Sequence, residues 1–164
     1  MNTHEITELG RRLVTGLMVF HGAFAADTFI EALNFNNTST EAYIVNTEHS
    51  QSRGRHWVAI IQEPGGRVEF FDPLGHGPWE YANLNIFNAV AFNSNELQNP
   101  LTNTSGHISL LYLYFRSRGY SFRYTIKWFK SLFIEFGSIS IGVLVILTAI
   151  KLHFHIREHT IEQM

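Results

Sequence analysis

Two residues capable of chemistry sit at the ends of consecutive apolar runs. His56 heads Trp57-Val58-Ala59-Ile60-Ile61, and Asp72 follows Phe70-Phe71. Between the runs lies Glu63-Pro64-Gly65-Gly66, a tight-turn composition that predicts a hairpin. Antiparallel strands joined this way bring their far ends side by side, so the carboxylate would meet the imidazole. A carboxylate so placed holds a histidine in one tautomer. A plainer reading makes His56 a surface residue before a strand and Asp72 the start of a turn with Pro73.

Composition sets the outer bounds. A chain of 164 residues is one domain with enough length to bury a core. The formal net charge of −2 gives no electrostatic reason to expect nucleic-acid binding. Cysteine is absent, which excludes disulfides, thiolate metal sites and a thiol nucleophile.

The elements that must carry these residues follow from periodicity. Residues 2–20 read as an amphipathic helix through Ile6, Leu9, Leu13, Leu17 and Phe20, with Asn2 and Glu5 as its cap. A signal peptide is the competing view, from Arg11-Arg12 to a cleavage-like Ala23-Phe24-Ala25, but Glu5, Glu8, Gly16, His21 and Gly22 fit it badly. Ala23–Asn37 reads as loop and a short helix, and Tyr43-Ile44-Val45 as a strand. Further strands are predicted near 57–62 and 67–71, then an irregular segment from Asp72 to Trp79. A helix is expected over 83–92, a loop over 93–104, and a buried helix through Ile108–Phe115 whose first turn carries Ser105 and Gly106.

The end of the chain has a different texture. Phe136–Ile150 is fifteen residues without a charge, shorter than the roughly twenty a spanning helix needs. Flanking apolar residues would extend it over 131–156 if Lys151 snorkels. Five basic residues precede it between Arg116 and Lys130, an arrangement that would leave the folded part in the cytosol as a tail-anchored protein. A core helix is the alternative, in which case the protein would be cytoplasmic or nuclear. The division expected is 1–128 for the main domain and 129–164 for this segment.

Several segments, taken in order, resemble the adenovirus-type cysteine proteases, especially the maturation proteases of Polinton (Maverick) elements, which are related to proteases of ubiquitin-like proteins. They are Gly22-Ala23-Phe24-Ala25-Ala26-Asp27, Tyr43-Ile44-Val45-Asn46-Thr47, Gly54-Arg55-His56-Trp57-Val58-Ala59-Ile60 and Glu69-Phe70-Phe71-Asp72. Leu97-Gln98, Thr104-Ser105-Gly106 and Arg116-Ser117-Arg118-Gly119-Tyr120-Ser121-Phe122 continue the match to residue 122. The resemblance implies an α+β, papain-like fold: a small mixed, mainly antiparallel sheet packed on a central helix, here with a C-terminal hydrophobic helix added. It implies His56 as general base, Asp72 as the acid that orients it and Gln98 as an oxyanion donor. Trp57 and Gly106 match the residues that follow the histidine and the nucleophile, and both would border bound substrate. Ser105 stands where the family has its catalytic cysteine, and Ser109 where a second cysteine is common.

Serine in that seat changes the chemistry. A thiol has a pKa of about 8.5, which a helix N-terminus beside an imidazolium lowers enough to store a thiolate. A hydroxyl is too weak an acid and must lose its proton to His56 as attack occurs, which demands closer alignment. Displacement by about an ångström costs on the order of a hundredfold. The expectation is a pseudoprotease with severely reduced or absent hydrolysis that keeps a groove for a peptide or capsid-like protein. An active serine variant, an engineered loss of cysteine, and a tail-anchored protein with a remnant domain are the alternatives. No cofactor or metal is implied. The peptide and DNA cofactors of the adenovirus enzymes are not carried over, because the chain has neither a basic face nor a cysteine.

Nine histidines invite a metal reading, and His155 with His159 has helical ligand spacing. No acid-histidine signature of a zinc hydrolase accompanies them, so structural or solvent-facing roles are preferred, as is a loop role for His76. Sequons at Asn36, Asn37 and Asn103 are short motifs that arise by chance, and a glycan on Asn103 would crowd Ser105. Phe115, Arg116 and Arg118 are expected to close the core and cap the helix.

Overall fold

The computed structural model describes residues 1–33, 37–52, 56–85 and 91–136. Helix α1 (Thr3–Leu13) opens on a capping box: Asn2 Oδ1 accepts from Glu5 N–H, and Glu5 returns the bond to Asn2 N–H. The helix stops at Leu13 instead of running to residue 20. Gly16 takes a positive φ of 96°, and Leu17 N–H donates to Ser117 O, so the chain leaves the helical path. Residues Val19–Ala25 form β1, a strand that the helical spacing of Leu17 and Phe20 disguised. Gly22, with φ of 126°, sits at a register shift in β1 that removes any clean alternation.

The short helix α2 (Ala26–Ala32) leads to β2 (Glu41–Asn46), followed by β3 (Trp57–Gln62), β4 (Val68–Phe71) and β5 (Ala91–Phe92). They form one sheet in the order β1-β2-β3-β4-β5. The inner pairs β2–β3 and β3–β4 are antiparallel, and the outer pairs β1–β2 and β4–β5 are parallel. The 83–92 helix is corrected at its described ends: residues up to 85 are turns and Ala91–Phe92 is strand, while 86–90 lie outside the described residues.

Every residue of β2, β3 and β4 is buried, because both sheet faces are covered. Alternate side chains serve opposite layers. Ala42, Ile44, Ala59, Ile61 and Phe71 pack with α1, α3 (Ser105–Ser117) and α4 (Phe122–Phe136). Tyr43, Val45, Val58, Ile60 and Phe70 pack with Ala26 and Phe29 of α2 and with Leu84. Phe71 stacks on Tyr112 of α3 with ring centroids 4.1 Å apart. Burial of one such large apolar side chain stabilises the fold by about 1.5–3 kcal/mol. A buried ion pair locks α3 to β4. Arg116 makes two bonds to Glu69, at 2.7 and 2.9 Å, and Tyr112 O–H donates to the same carboxylate. Arg116 thus ties the core together, as expected.

Helix α4 is an addition to the expected elements. Ile126 and Phe129 turn inward while Arg123, Lys127 and Lys130 remain outside. The division placed after residue 128 falls inside α4, whose Phe129 is fully buried and contacts the rings of Phe71 and Trp128. The hydrophobic segment expected over 136–150, apart from its first residue, most of the 131–156 span, and His153, His155 and His159 lie outside the described residues. Among the described residues no helix is long and apolar enough to cross a membrane.

Candidate active site

The hairpin does what its sequence predicts. His56 immediately precedes β3 and Asp72 immediately follows β4, and His56 Nε2 lies 2.6 Å from Asp72 Oδ1. Asp72 is fully buried and His56 nearly so. A carboxylate oxygen only accepts, so Nε2 carries a proton toward Asp72, and in the neutral tautomer Nδ1 is the basic atom.

The carboxylate is held by groups that the sequence did not reveal. Leu74 N–H donates to Oδ1 at 2.7 Å and Tyr81 O–H donates to Oδ2 at 2.5 Å. Asn93 fixes the Asp72 backbone from both sides: its Oδ1 accepts from Asp72 N–H and its Nδ2 donates to Asp72 O. The Tyr81 ring also lies near His56, with centroids 6.2 Å apart. Burial, then the adjacent Asp72 charge, push the Tyr81 hydroxyl far above its ordinary pKa, so it remains a donor. His76 stands by the other carboxylate oxygen, 3.8 Å from Oδ2 and 3.2 Å from Tyr81 O, and it is half exposed. Nothing in the spacing of Tyr81 or Asn93 marks either as a partner of Asp72; only their place in the loops after the acid does.

Ser105 begins α3, and Gly106 follows because the helix start approaches its neighbours closely. A Cβ at 106 would lie 3.1 Å from Ile6 Cδ1 and 3.4 Å from Trp57 Cδ1. Thr104 supplies no side-chain cap, and the N–H groups of Ser105 and Gly106 have no hydrogen-bond partner among the described residues. These two donors sit at the positive end of the helix.

A cleft of about 620 Å³ brings His56, Trp57, Gln98, Ser105 and Gly106 together. Asn103 also lines it, so a glycan there would crowd Ser105 as expected. Asn37, in contrast, is buried with its amide nitrogen bonded to two backbone carbonyls, a poor acceptor site. Asn36 lies outside the described residues. Gln98 is buried, and its Nε2 donates to Thr102 O at 2.7 Å, leaving one amide hydrogen uncommitted.

Ser105 Oγ does not hydrogen-bond the His56 ring. It accepts from Trp57 N–H at 3.1 Å, while Ser109, one turn along α3, donates to Trp57 O at 3.1 Å. Trp57 needs these partners because strand β4 ends before reaching it: β3–β4 pairing runs only from Ala59 to Gln62. Among the described residues no group of three or more acidic or histidine side chains is arranged to hold a metal.

No protein-family profile matches the chain, and no curated protein matches it in sequence. The structure is similar to the central domain of an uncharacterized protein from Legionella pneumophila. The TM-score is 0.55 at 16% identity, over 91% of this chain and 94% of that one. Likeness at that identity shows the fold alone: a mixed α+β domain with a five-stranded sheet and four helices.

Proposed function

We propose that this chain is a papain-like domain of the adenovirus and Polinton protease type that keeps a peptide groove and has lost most or all hydrolytic activity. The observation that carries this reading is that Ser105 Oγ accepts from Trp57 N–H and makes no hydrogen bond to the His56 ring. A serine nucleophile must pass its proton to the histidine as attack occurs. A hydroxyl held by a backbone amide and out of hydrogen-bond contact with the imidazole is poorly placed for that transfer. The intact His56–Asp72 pair beside a helix start supports descent from an enzyme. The cleft is the size of an ordinary ligand site, which supports retention of peptide binding without the chemistry.

A second reading is favoured by that same His56–Asp72 pair and by the unpartnered amides of Ser105 and Gly106. In it, Ser105 Oγ attacks a peptide carbonyl carbon and His56 carries the hydroxyl proton to the departing amine. Water then hydrolyses the ester, with Gln98 and the helix amides donating to the oxyanion. Incubation of the full chain with a proteome-derived peptide library, read by mass spectrometry of new termini, separates the two. The expected result is no cleavage above the Ser105→Ala variant. Turnover abolished by Ser105→Ala would establish the active serine enzyme instead.

A further inference from the structure

We infer, resting on the peptide-groove reading above, that the groove has a second compartment: a subsite beyond Trp57 in which Asn46 holds a neighbouring peptide unit by its carbonyl oxygen. A cavity of about 210 Å³ adjoins the main cleft, and Met1 and Trp57 line both. Its volume is below that of sites for separate small ligands, so it suits a single residue of a longer chain. An extended peptide advances about 3.3–3.6 Å per residue, so one lying across Trp57 places consecutive units on either side of it.

Asn46 supplies the recognition. It ends β2 directly opposite Trp57, is 5% exposed and lines the smaller cavity. Its Oδ1 accepts from Glu48 N–H at 2.9 Å, which fixes the amide orientation and leaves Nδ2 as the outward donor. Nδ2 has no partner among the described residues and, unlike Gln98 Oε1, is not sealed from solvent. A donor so placed is complementary to a carbonyl oxygen.

The rest of the wall is preformed. Ser50 N–H and Oγ donate to Asp27 at 2.8 and 2.6 Å, and His49 Nδ1 lies 3.1 Å from the same carboxylate. Asp27 is therefore committed to holding the loop, and the compartment offers neutral groups of Asn46, Ser50 and Ser52 rather than a free carboxylate. Such a lining selects a peptide carbonyl over a cationic side chain.

The test is a titration of the ¹⁵N-labelled full chain with an equimolar pool of acetylated, amidated hexapeptides randomised at every position. The Asn46 side-chain amide and the Gly106 backbone amide should shift together with one apparent Kd. Asn46→Asp keeps the acceptor for Glu48 N–H and replaces the outward donor with a carboxylate oxygen, which repels a carbonyl. It should raise that Kd about fivefold or more, the effect of one ordinary hydrogen bond. A response at Gly106 with a silent Asn46 amide and unchanged binding by Asn46→Asp would overturn the second compartment and leave the groove standing. Absence of any response at Gly106 would overturn both.

Discussion

Trp57 N–H donates to Ser105 Oγ at 3.1 Å, so the hydroxyl proposed to stand in a nucleophile position also serves as a backbone partner for β3. The residue that would do chemistry is part of the scaffold that holds the cleft wall. Truncation there has two separable effects, on reactivity and on stability.

The reactivity effect is read by introducing a thiol. Ser105→Cys places sulfur at an uncapped helix start in the cleft that His56 lines, conditions that lower a thiol pKa. At neutral pH, iodoacetamide should modify it at least about tenfold faster than a cysteine introduced at exposed Ser52, by intact-mass kinetics. Equal rates would mean that the imidazole and helix do not act on position 105.

The stability effect is read at both serines. Ser105→Ala leaves Trp57 N–H unpaired and Ser109→Ala leaves Trp57 O unpaired, each buried. Urea unfolding should show a loss of about 1–3 kcal/mol for each. The double variant should lose less than the sum, because the two bonds hold the backbone of one residue, Trp57. Strict additivity would mean the serines do not act as a pair.

The Glu69–Arg116 pair provides a larger effect. Burial opposes the Arg116 charge, but the bonds to Glu69 and its negative charge outweigh that and hold the guanidinium above its ordinary pKa. Arg116→Met strands a carboxylate that is 3% exposed, and should cost about 3–5 kcal/mol in chemical denaturation. Replacing both partners with apolar residues should recover much of that loss.

Two tyrosines give a pH dependence. Burial first, and then a neighbouring carboxylate, raise Tyr81 and Tyr112 well above the usual phenol value of about 10. Above that pH the unfolded chain releases protons that the folded chain retains. The associated stability is complete below about pH 10 and falls as the pH rises beyond it. Absorbance at alkaline pH should therefore show at least Tyr81 and Tyr112, of the six tyrosines, ionising only with unfolding. Smooth ionisation of all six before the circular dichroism changes would contradict this assignment.

Much of the site was legible because it is local. The apolar runs on either side of the turn Glu63-Pro64-Gly65-Gly66 predict a hairpin whose ends meet, and His56 and Asp72 meet. The apolar run through Phe115 predicts a helix beginning at Ser105, and it begins there. What escaped depends on distant partners. Val19–Ala25 becomes a strand because β2 offers an open edge, while Leu17 and Phe20 alone keep a helical rhythm. Helix α4 was hidden by reading its basic residues as flanks of an apolar tail, although Phe122, Ile126 and Phe129 already recur at helical spacing. Tyr81 and Asn93 reach Asp72 across 9 and 21 residues, and no short motif encodes such an approach.

Because α3 hydroxyls satisfy both the backbone N–H and C=O of Trp57, this margin of the sheet is closed to an incoming strand. Many proteins capture extended segments by letting them lengthen a sheet, main chain to main chain. That route is barred at Trp57, so a peptide bound as proposed would be gripped there by side-chain amides and by the first turn of a helix. Sequence preference would then depend on where such a guest places its carbonyls, rather than on its tendency to form β-structure.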